Sequence, residues 1–155
     1  MSDESLEPRG LYFEDLELGN KIISVGRTIT ETDVVNFAGL SGDYNQIHTD
    51  DAYAVEAGFG RRVAHGLLIL SIASGLAVQT GFMEGTVIAF RDLETKFSTP
   101  VFFGDTIHVV LEIKELKALP KLGGGQVILK VTIKNQTGKA VQRGNWTMLI
   151  KSRPI

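Results

Sequence analysis

The chain has 155 residues with 43% apolar and 22% charged side chains, which is typical of one globular domain and excludes a disordered protein. Its net charge of −2 lacks the basic surplus that nucleic-acid binding normally requires. The chain contains no cysteine, which excludes disulfides, cysteine–zinc sites and a thiol nucleophile and fits a cytoplasmic location.

The start of the chain is polar and acidic, unlike the basic and apolar start of a signal peptide. We therefore expect residues 1–10 to form a flexible tail and residues 11–155 to form a single domain. The charge-free run over 66–81 is shorter than the roughly 18 apolar residues that a spanning helix needs, so no membrane contact is expected.

Short elements precede and follow a polar loop in the first third of the chain. Residues 21–30 are rich in isoleucine and predict a strand. The spacing of Thr30 and Asp33 resembles a capping box and predicts a short helix that stops near Gly39. A second short helix is predicted after the loop, capped by residues 49–51.

Residues 66–79 predict a helix with apolar side chains on every side of its surface. These side chains are Leu67, Leu68, Ile69, Leu70, Ile72, Leu76 and Val78. Such a helix should be buried all round, and Gly75 inside it indicates the close approach of another backbone.

Four strand-like segments follow this helix, and two of them alternate strictly between apolar and polar residues. The segments are 86–97, 105–115, 126–134 and 140–151. A break in the first pattern predicts a bulge near Arg91 and Asp92. The order predicts an α+β fold in which an antiparallel sheet wraps around the helix. Because one curved sheet covers only one side of a helix, we expect a second subunit to cover the other side.

The loop between the two short helices carries a compact set of acid–base groups. Asp43, Asn45 and His48 could converge on one water molecule, since a carboxylate accepts, an imidazole can donate or accept, and an amide orients. Each residue alone is more often a turn or capping residue, and only their joint spacing favours a site. The amide of Gly66, at the start of the long helix, could face developing negative charge.

Three blocks of the sequence, 37–48, 63–67 and 97–105, resemble the MaoC-like hydratases. That family includes the (R)-specific enoyl-CoA hydratases, and the resemblance implies their hot-dog fold, a sheet around a long helix. The resemblance covers about residues 11–150. One position departs from the family pattern, because Gln46 stands where the family usually has proline, which would stiffen the loop.

The resemblance implies a trans-2-enoyl thioester of CoA or a related carrier as substrate, with (R)-specific addition of water. Asp43 and His48 would hold and deprotonate the water, Asn45 would hold Asp43 or the loop in register, and the Gly66 amide would stabilise the enolate-like charge. No cofactor is implied. The three dispersed histidines do not form a zinc pattern either, so no metal is expected.

Substrate contacts are expected from further residues around this site. By family position, Ser74 and Ala77 could line the acyl pocket, although small residues also serve helix packing. Arg61 and Arg62 could meet a CoA phosphate or simply be solvated. His65 could line the site, but we favour a structural role at the start of the helix.

Two other functions remain open at this stage. The first is a thioesterase on the same fold, in which water attacks the carbonyl carbon instead of the β-carbon. The second is a non-catalytic regulatory protein that binds acyl thioesters, for which Gln46 is the only indication. The expected partners are the thioester substrate and a second copy of the chain, as a homodimer or a dimer of dimers.

Overall fold

The computed structural model describes residues 9–155. The expected tail therefore lies mostly outside the described residues. Its last two residues, Arg9 and Gly10, lie against the segment that follows the long helix. The Gly10 amide donates to the Gly81 carbonyl at 2.9 Å, and Arg9 forms an ion pair with Glu84 at 2.7 Å.

Four helices and six strands form the domain, together with two short 3-10 turns, within the described part of the chain. The helices are α1 (Glu31–Ser41), α2 (Gln46–Thr49), α3 (Asp51–Glu56) and α4 (Gly66–Gln79). The strands are β1 (Lys21–Ile23), β2 (Arg27–Thr28), β3 (Val87–Phe97), β4 (Thr106–Leu119), β5 (Gly124–Lys134) and β6 (Ala140–Lys151). The sheet is antiparallel with the order β1-β4-β5-β6-β3, and β2 pairs with β4.

The predicted α+β hot-dog fold is confirmed, with the sheet packed against α4. The alternating strands β4 and β5 bury one face against the helix, because every second side chain of a strand points the same way. The buried side chains are Ile107, Val109, Leu111 and Ile113 on β4 and Val127, Leu129, Val131 and Ile133 on β5. The register shift between Phe90 and Asp92 confirms the predicted bulge in β3.

The single strand predicted over 21–30 is wrong, since β1 and β2 are separate strands. They are interrupted at Ser24, whose hydroxyl accepts from the Val109 amide at 2.9 Å, so that a side chain replaces a backbone partner in the ladder. The predicted capping box is present, with Thr30 accepting from the Asp33 amide.

The first helix extends beyond its predicted end near Gly39. It continues to Ser41 because the following Gly42 supplies the left-handed conformation, φ 77°, that terminates a helix.

The prediction that α4 is buried all round is wrong for the single chain. One side is buried against the sheet, whereas Leu67 is 60% and Val78 is 65% exposed on the other. Gly75 is also exposed, and a Cβ atom placed on it would meet nothing within 4 Å in this chain. The apolar composition of α4 therefore predicts that both of its sides are covered, but a single chain covers only one side of the helix.

No helix within residues 9–155 is both long enough and apolar enough to cross a membrane.

Candidate active site

The loop between α1 and α2 is held by a series of side chain to backbone hydrogen bonds. The Asp43 amide donates to the Ser41 hydroxyl at 3.1 Å, and the Asn45 amide donates to the Asp43 carboxylate at 3.1 Å. The Asn45 side chain then accepts from the Ile47 amide at 3.2 Å and caps α2. These bonds fix the position of Asp43 relative to α2.

His48 lies in α2 and is only 8% exposed. Its Nδ1 is 2.7 Å from the Val63 carbonyl, and because a carbonyl only accepts, Nδ1 must carry the proton. In the neutral ring, Nε2 therefore keeps its lone pair. Burial lowers the pKa of His48 and the neighbouring His65 adds to this, while the hydrogen bond to Val63 and the charge of Asp43 oppose it. The neutral form, which can act as a base, is thus favoured.

His65 is buried beside His48, with the two rings stacked at a centroid distance of 3.8 Å. Its Nε2 donates to the Asp43 backbone carbonyl at 2.9 Å, which connects the start of α4 to the loop. The Phe37 ring packs against His65 in an edge-to-face arrangement, with ring centroids 4.9 Å apart. The Nδ1 atom of His65 is buried and has no hydrogen-bond partner among the described residues.

The structure brings Asp43, His48 and His65 together, with one ligand-type atom from each lying within 4.8 Å of the others. The shared spacing alone would fit a metal ion. However, a metal must lie in the plane of each imidazole that binds it, and these two ring planes are inclined by only 27°. Nearly parallel stacked rings cannot direct both lone pairs at one ion, so this arrangement fits water activation better than metal binding.

A cavity of about 490 Å³ opens beside His48 and reaches the start of α4. Its polar lining includes His48, Gly66 and Gln142. The remaining lining is mainly apolar and comes from Ile47, Phe59, Val63, Leu67, Ile69, Phe97 and Val101. The cavity is therefore a largely apolar space with few polar groups, as expected of a small-molecule site.

Gly66 is the first residue of α4, so its amide has no intrahelical acceptor and lies at the positive end of the helix dipole. A Cβ atom placed on Gly66 would lie 2.7 Å from the Phe97 ring. A side chain at this position would therefore have to displace the Phe97 ring. The structure brings the Gly66 amide and His48 to the same cavity, as the sequence predicts.

The two arginines before α4 differ in their surroundings. Arg62 forms ion pairs with Glu31 at 2.7 Å and Asp51 at 2.6 Å, so its charge is already matched. Arg61 lies over the Phe102 ring at 4.3 Å and has no carboxylate partner among the described residues. Arg61 is therefore the available cation near the site.

The proposed acyl-pocket residues Ser74 and Ala77 do not line this cavity. Ser74 lies on the exposed side of α4 and donates to the Ser71 carbonyl at 2.6 Å, while Ala77 is buried in the core. Sequence reasoning missed Gln142, which is only 3% exposed. Its position in the alternation of β6 could have revealed it. Gln142 is separated from Trp146, Met148 and Ile150 by even numbers of residues, so its side chain shares their inward face.

Fold and site together define a hot-dog protein in which His48 and the start of α4 line one cavity, with the Asp43 carboxylate close to His48. A family model for the MaoC like domain matches residues 16–135. The chain belongs to this family, which confirms the resemblance seen in the sequence.

Known relatives fall into two groups by their names. The chain is 33% identical to the (R)-specific enoyl-CoA hydratase of Rhodospirillum rubrum over 142 residues, which cover 92% of this chain and 93% of that protein. It is also 42% identical over 115 residues to Protein MaoC of Klebsiella aerogenes, covering 74% of this chain but 34% of that protein. The chain thus spans about a third of the length of the Klebsiella relative. A solved structure of an Archaeoglobus monoamine oxidase regulatory protein is similar with a TM-score of 0.88 and 37% identity, covering 96% of this chain and 99% of that chain.

The exchange Gln46→Pro is expected to stabilise the fold by about 0.4–1 kcal/mol, because proline restricts the unfolded chain at a compatible position. Gln46 is the first residue of α2, where proline is favoured, and Asn45 before it already has the extended ψ of 136° that proline requires. Urea denaturation measures the change. Gln46→Ala is the control without the ring, and a loss of stability in Gln46→Pro alone would contradict this description of the loop.

Proposed function

We propose that the protein catalyses the reversible hydration of a trans-2-enoyl-CoA to an (R)-3-hydroxyacyl-CoA. The observation that carries this proposal is the pairing, on one cavity, of the first amide of α4 with His48, whose Nδ1 is bound to the Val63 carbonyl so that Nε2 keeps the lone pair in the neutral ring. The hydratase among the relatives supports the same reaction. A hydration needs a base for water and a donor for the thioester oxygen, and this cavity offers both.

In the proposed reaction, water lies between the Asp43 carboxylate and His48 Nε2. As its oxygen bonds to the β-carbon, His48 takes a proton and the π electrons move towards the thioester oxygen. The Gly66 amide donates to that oxygen as it gains negative charge. The enolate then collapses, and the α-carbon takes a proton from the Asp43–His48 pair, which is thereby restored.

Binding of the thioester is proposed to use the apolar wall of the cavity for the acyl chain and Arg61 for a CoA phosphate. Arg61 suits this role because it is exposed and its charge has no carboxylate partner in the described part of the chain. Arg62 would instead hold α1 and α3 together through Glu31 and Asp51.

We further propose a homodimer in which a second copy covers the open side of α4. The β3 strand supports this proposal, since it pairs only with β6 among the described residues and leaves one edge free. It also carries several partly exposed apolar side chains. These are Val87, Ile88, Phe90, Leu93 and Phe97. A long apolar edge strand is normally covered in a stable protein. In such a dimer, Ser74 would lie at the interface.

A regulatory protein that binds acyl thioesters without turnover is the second candidate. The names of the Klebsiella and Archaeoglobus relatives favour it. The geometry favours an enzyme, because simple binding does not need a buried base next to an exposed carboxylate. A thioesterase would use the same groups, and release of free thiol from an acyl-CoA distinguishes it.

Removal of the proposed base or carboxylate is expected to lower turnover of crotonyl-CoA by roughly 10²–10⁴-fold, the usual contribution of acid–base catalysis. The measurement is the loss of enoyl absorbance in His48→Ala and Asp43→Asn, with chiral analysis of the wild-type product. His108→Ala is the matched control, since His108 lies on the outer face of β4. Full activity in either site variant would refute the assignment, and binding of enoyl-CoAs without turnover in the wild type would favour the regulatory candidate.

Activity is expected to fall on acidification only below the ordinary histidine pKa of 6.5, because burial lowers the pKa of His48. The base must be neutral, so kcat/KM stays level above the pKa of His48 and declines as the pH drops through that pKa. A pH profile of kcat/KM, with His108→Ala for comparison, tests the sign. An acidic limb centred above 6.5 is the contrary result.

The exchange Val78→Asp is expected to convert the proposed dimer to monomers, because it places a charge on the open apolar side of α4. Light scattering coupled to gel filtration reports the mass of each species. Val55→Asp is the control, since Val55 is similarly exposed, at 59%, but lies on α3. A wild-type protein that remains monomeric at assay concentration would overturn the dimer.

A further inference from the structure

A buried amide side chain lies next to the proposed anion site and has no part in the mechanism above. Gln142 is 3% exposed and lines the cavity from β6. Its Nε2 donates to the Gly66 carbonyl at 2.8 Å. Its Oε1 is buried and has no hydrogen-bond partner among the described residues.

The unpartnered Oε1 of Gln142 lowers the stability of the fold. A buried carbonyl oxygen without a partner destabilises a protein relative to an apolar side chain of similar volume. Since Trp146 and Met148 lie further along the same inward face of β6, an apolar residue would suit the strand here. An unsatisfied buried polar atom in a native protein calls for a specific explanation.

A second contact on Gly66 comes from the strand next to β6. Phe97 on β3 is the register partner of Gln142, so the two residues lie side by side in the sheet. The Phe97 ring packs so closely on Gly66 that a Cβ atom there would lie 2.7 Å from it. The two residues of this cross-strand pair therefore both contact Gly66. The Phe97 ring packs against it, and Gln142 donates a hydrogen bond to its carbonyl.

The Gly66 carbonyl and the Leu67 amide belong to one peptide group, the first of α4. A hydrogen bond to the carbonyl fixes the plane of that peptide and polarises its amide as a donor. The Phe97 ring lies close to Gly66, whose own amide is the preceding donor. Both amides lack intrahelical acceptors, and both residues line the cavity.

We propose that Gln142 is a positioning residue that orients the amide donors at the start of α4 towards the thioester oxygen. The proposal rests on the proposed hydratase function and adds a residue that supports the anion site from the sheet. Gln142 acts through Gly66 and does not itself contact the reacting atoms. Its effect should therefore appear mainly when negative charge develops in the transition state, and hence in kcat.

The test is the exchange Gln142→Met, which keeps the length of the side chain and removes the donor. Gln142→Leu serves as a second variant in case methionine packs poorly. Gln126→Met is the matched control, because Gln126 lies on β5 with its side chain on the opposite face of the sheet from Val127. We expect kcat on crotonyl-CoA to fall roughly tenfold with KM nearly unchanged, the scale of losing one orienting hydrogen bond.

Two further readouts separate positioning from a merely structural role. The melting temperature of Gln142→Met should equal or exceed that of the wild type, and the pH profile should keep the midpoint set by His48. A folded variant with kcat within twofold of the wild type overturns the proposal. A structural role alone would lower the melting temperature and leave kcat unchanged.

The wild type could show no turnover on any enoyl-CoA, and this result would count against the proposed function itself. The positioning role of Gln142 can still be tested in that case. Proton–nitrogen NMR spectra then report the Gly66 and Leu67 amides directly. Shifts of these two signals in Gln142→Met, but not in Gln126→Met, support the positioning role. Unchanged signals overturn it.

Discussion

The hydrogen bond from His48 Nδ1 to the Val63 carbonyl is the interaction on which the site depends. It fixes which nitrogen carries the proton and leaves Nε2 with the lone pair that the proposed base needs. It also joins α2 to the segment that leads into α4, where a second bond runs back from the Val63 amide to the Ile47 carbonyl at 3.1 Å. Because Gly66 follows closely in the chain, His48 and the first amide of α4 share one framework.

The sheet gives this framework its surroundings. The cavity lining as a whole, to which β3, β6 and the 98–101 segment contribute, is largely apolar, so a reacting thioester would be partly removed from water. In such a setting an amide dipole stabilises developing charge more strongly than it could in solution. Phe97 and Gln142 belong to the same surroundings, since both contact Gly66 from the sheet. The fold thus supports a site in which backbone amides at the start of α4 accompany the side chains of Asp43 and His48.

Local signals in the sequence predicted much of this arrangement. The alternation of β4 and β5 and the capping of α1 and α3 depend on neighbours a few residues away, so they can be inferred from the chain alone. The pairing of Asp43 with His48 was predicted for the same reason. Gln142 was missed because its partner, Gly66, lies 76 residues away. The open side of α4 was misjudged because burial there depends on what covers it, and the ion pairs of Arg62 likewise join distant segments.

The most direct test of the central claim is the protonation of His48 itself. Nitrogen NMR of the imidazole distinguishes a protonated from an unprotonated ring nitrogen. At neutral pH we predict a neutral ring with the proton on Nδ1 and a free lone pair on Nε2, and Val63 as the acceptor. A proton on Nε2, or a fully charged ring at that pH, would contradict the account, because no base would then be available to activate water.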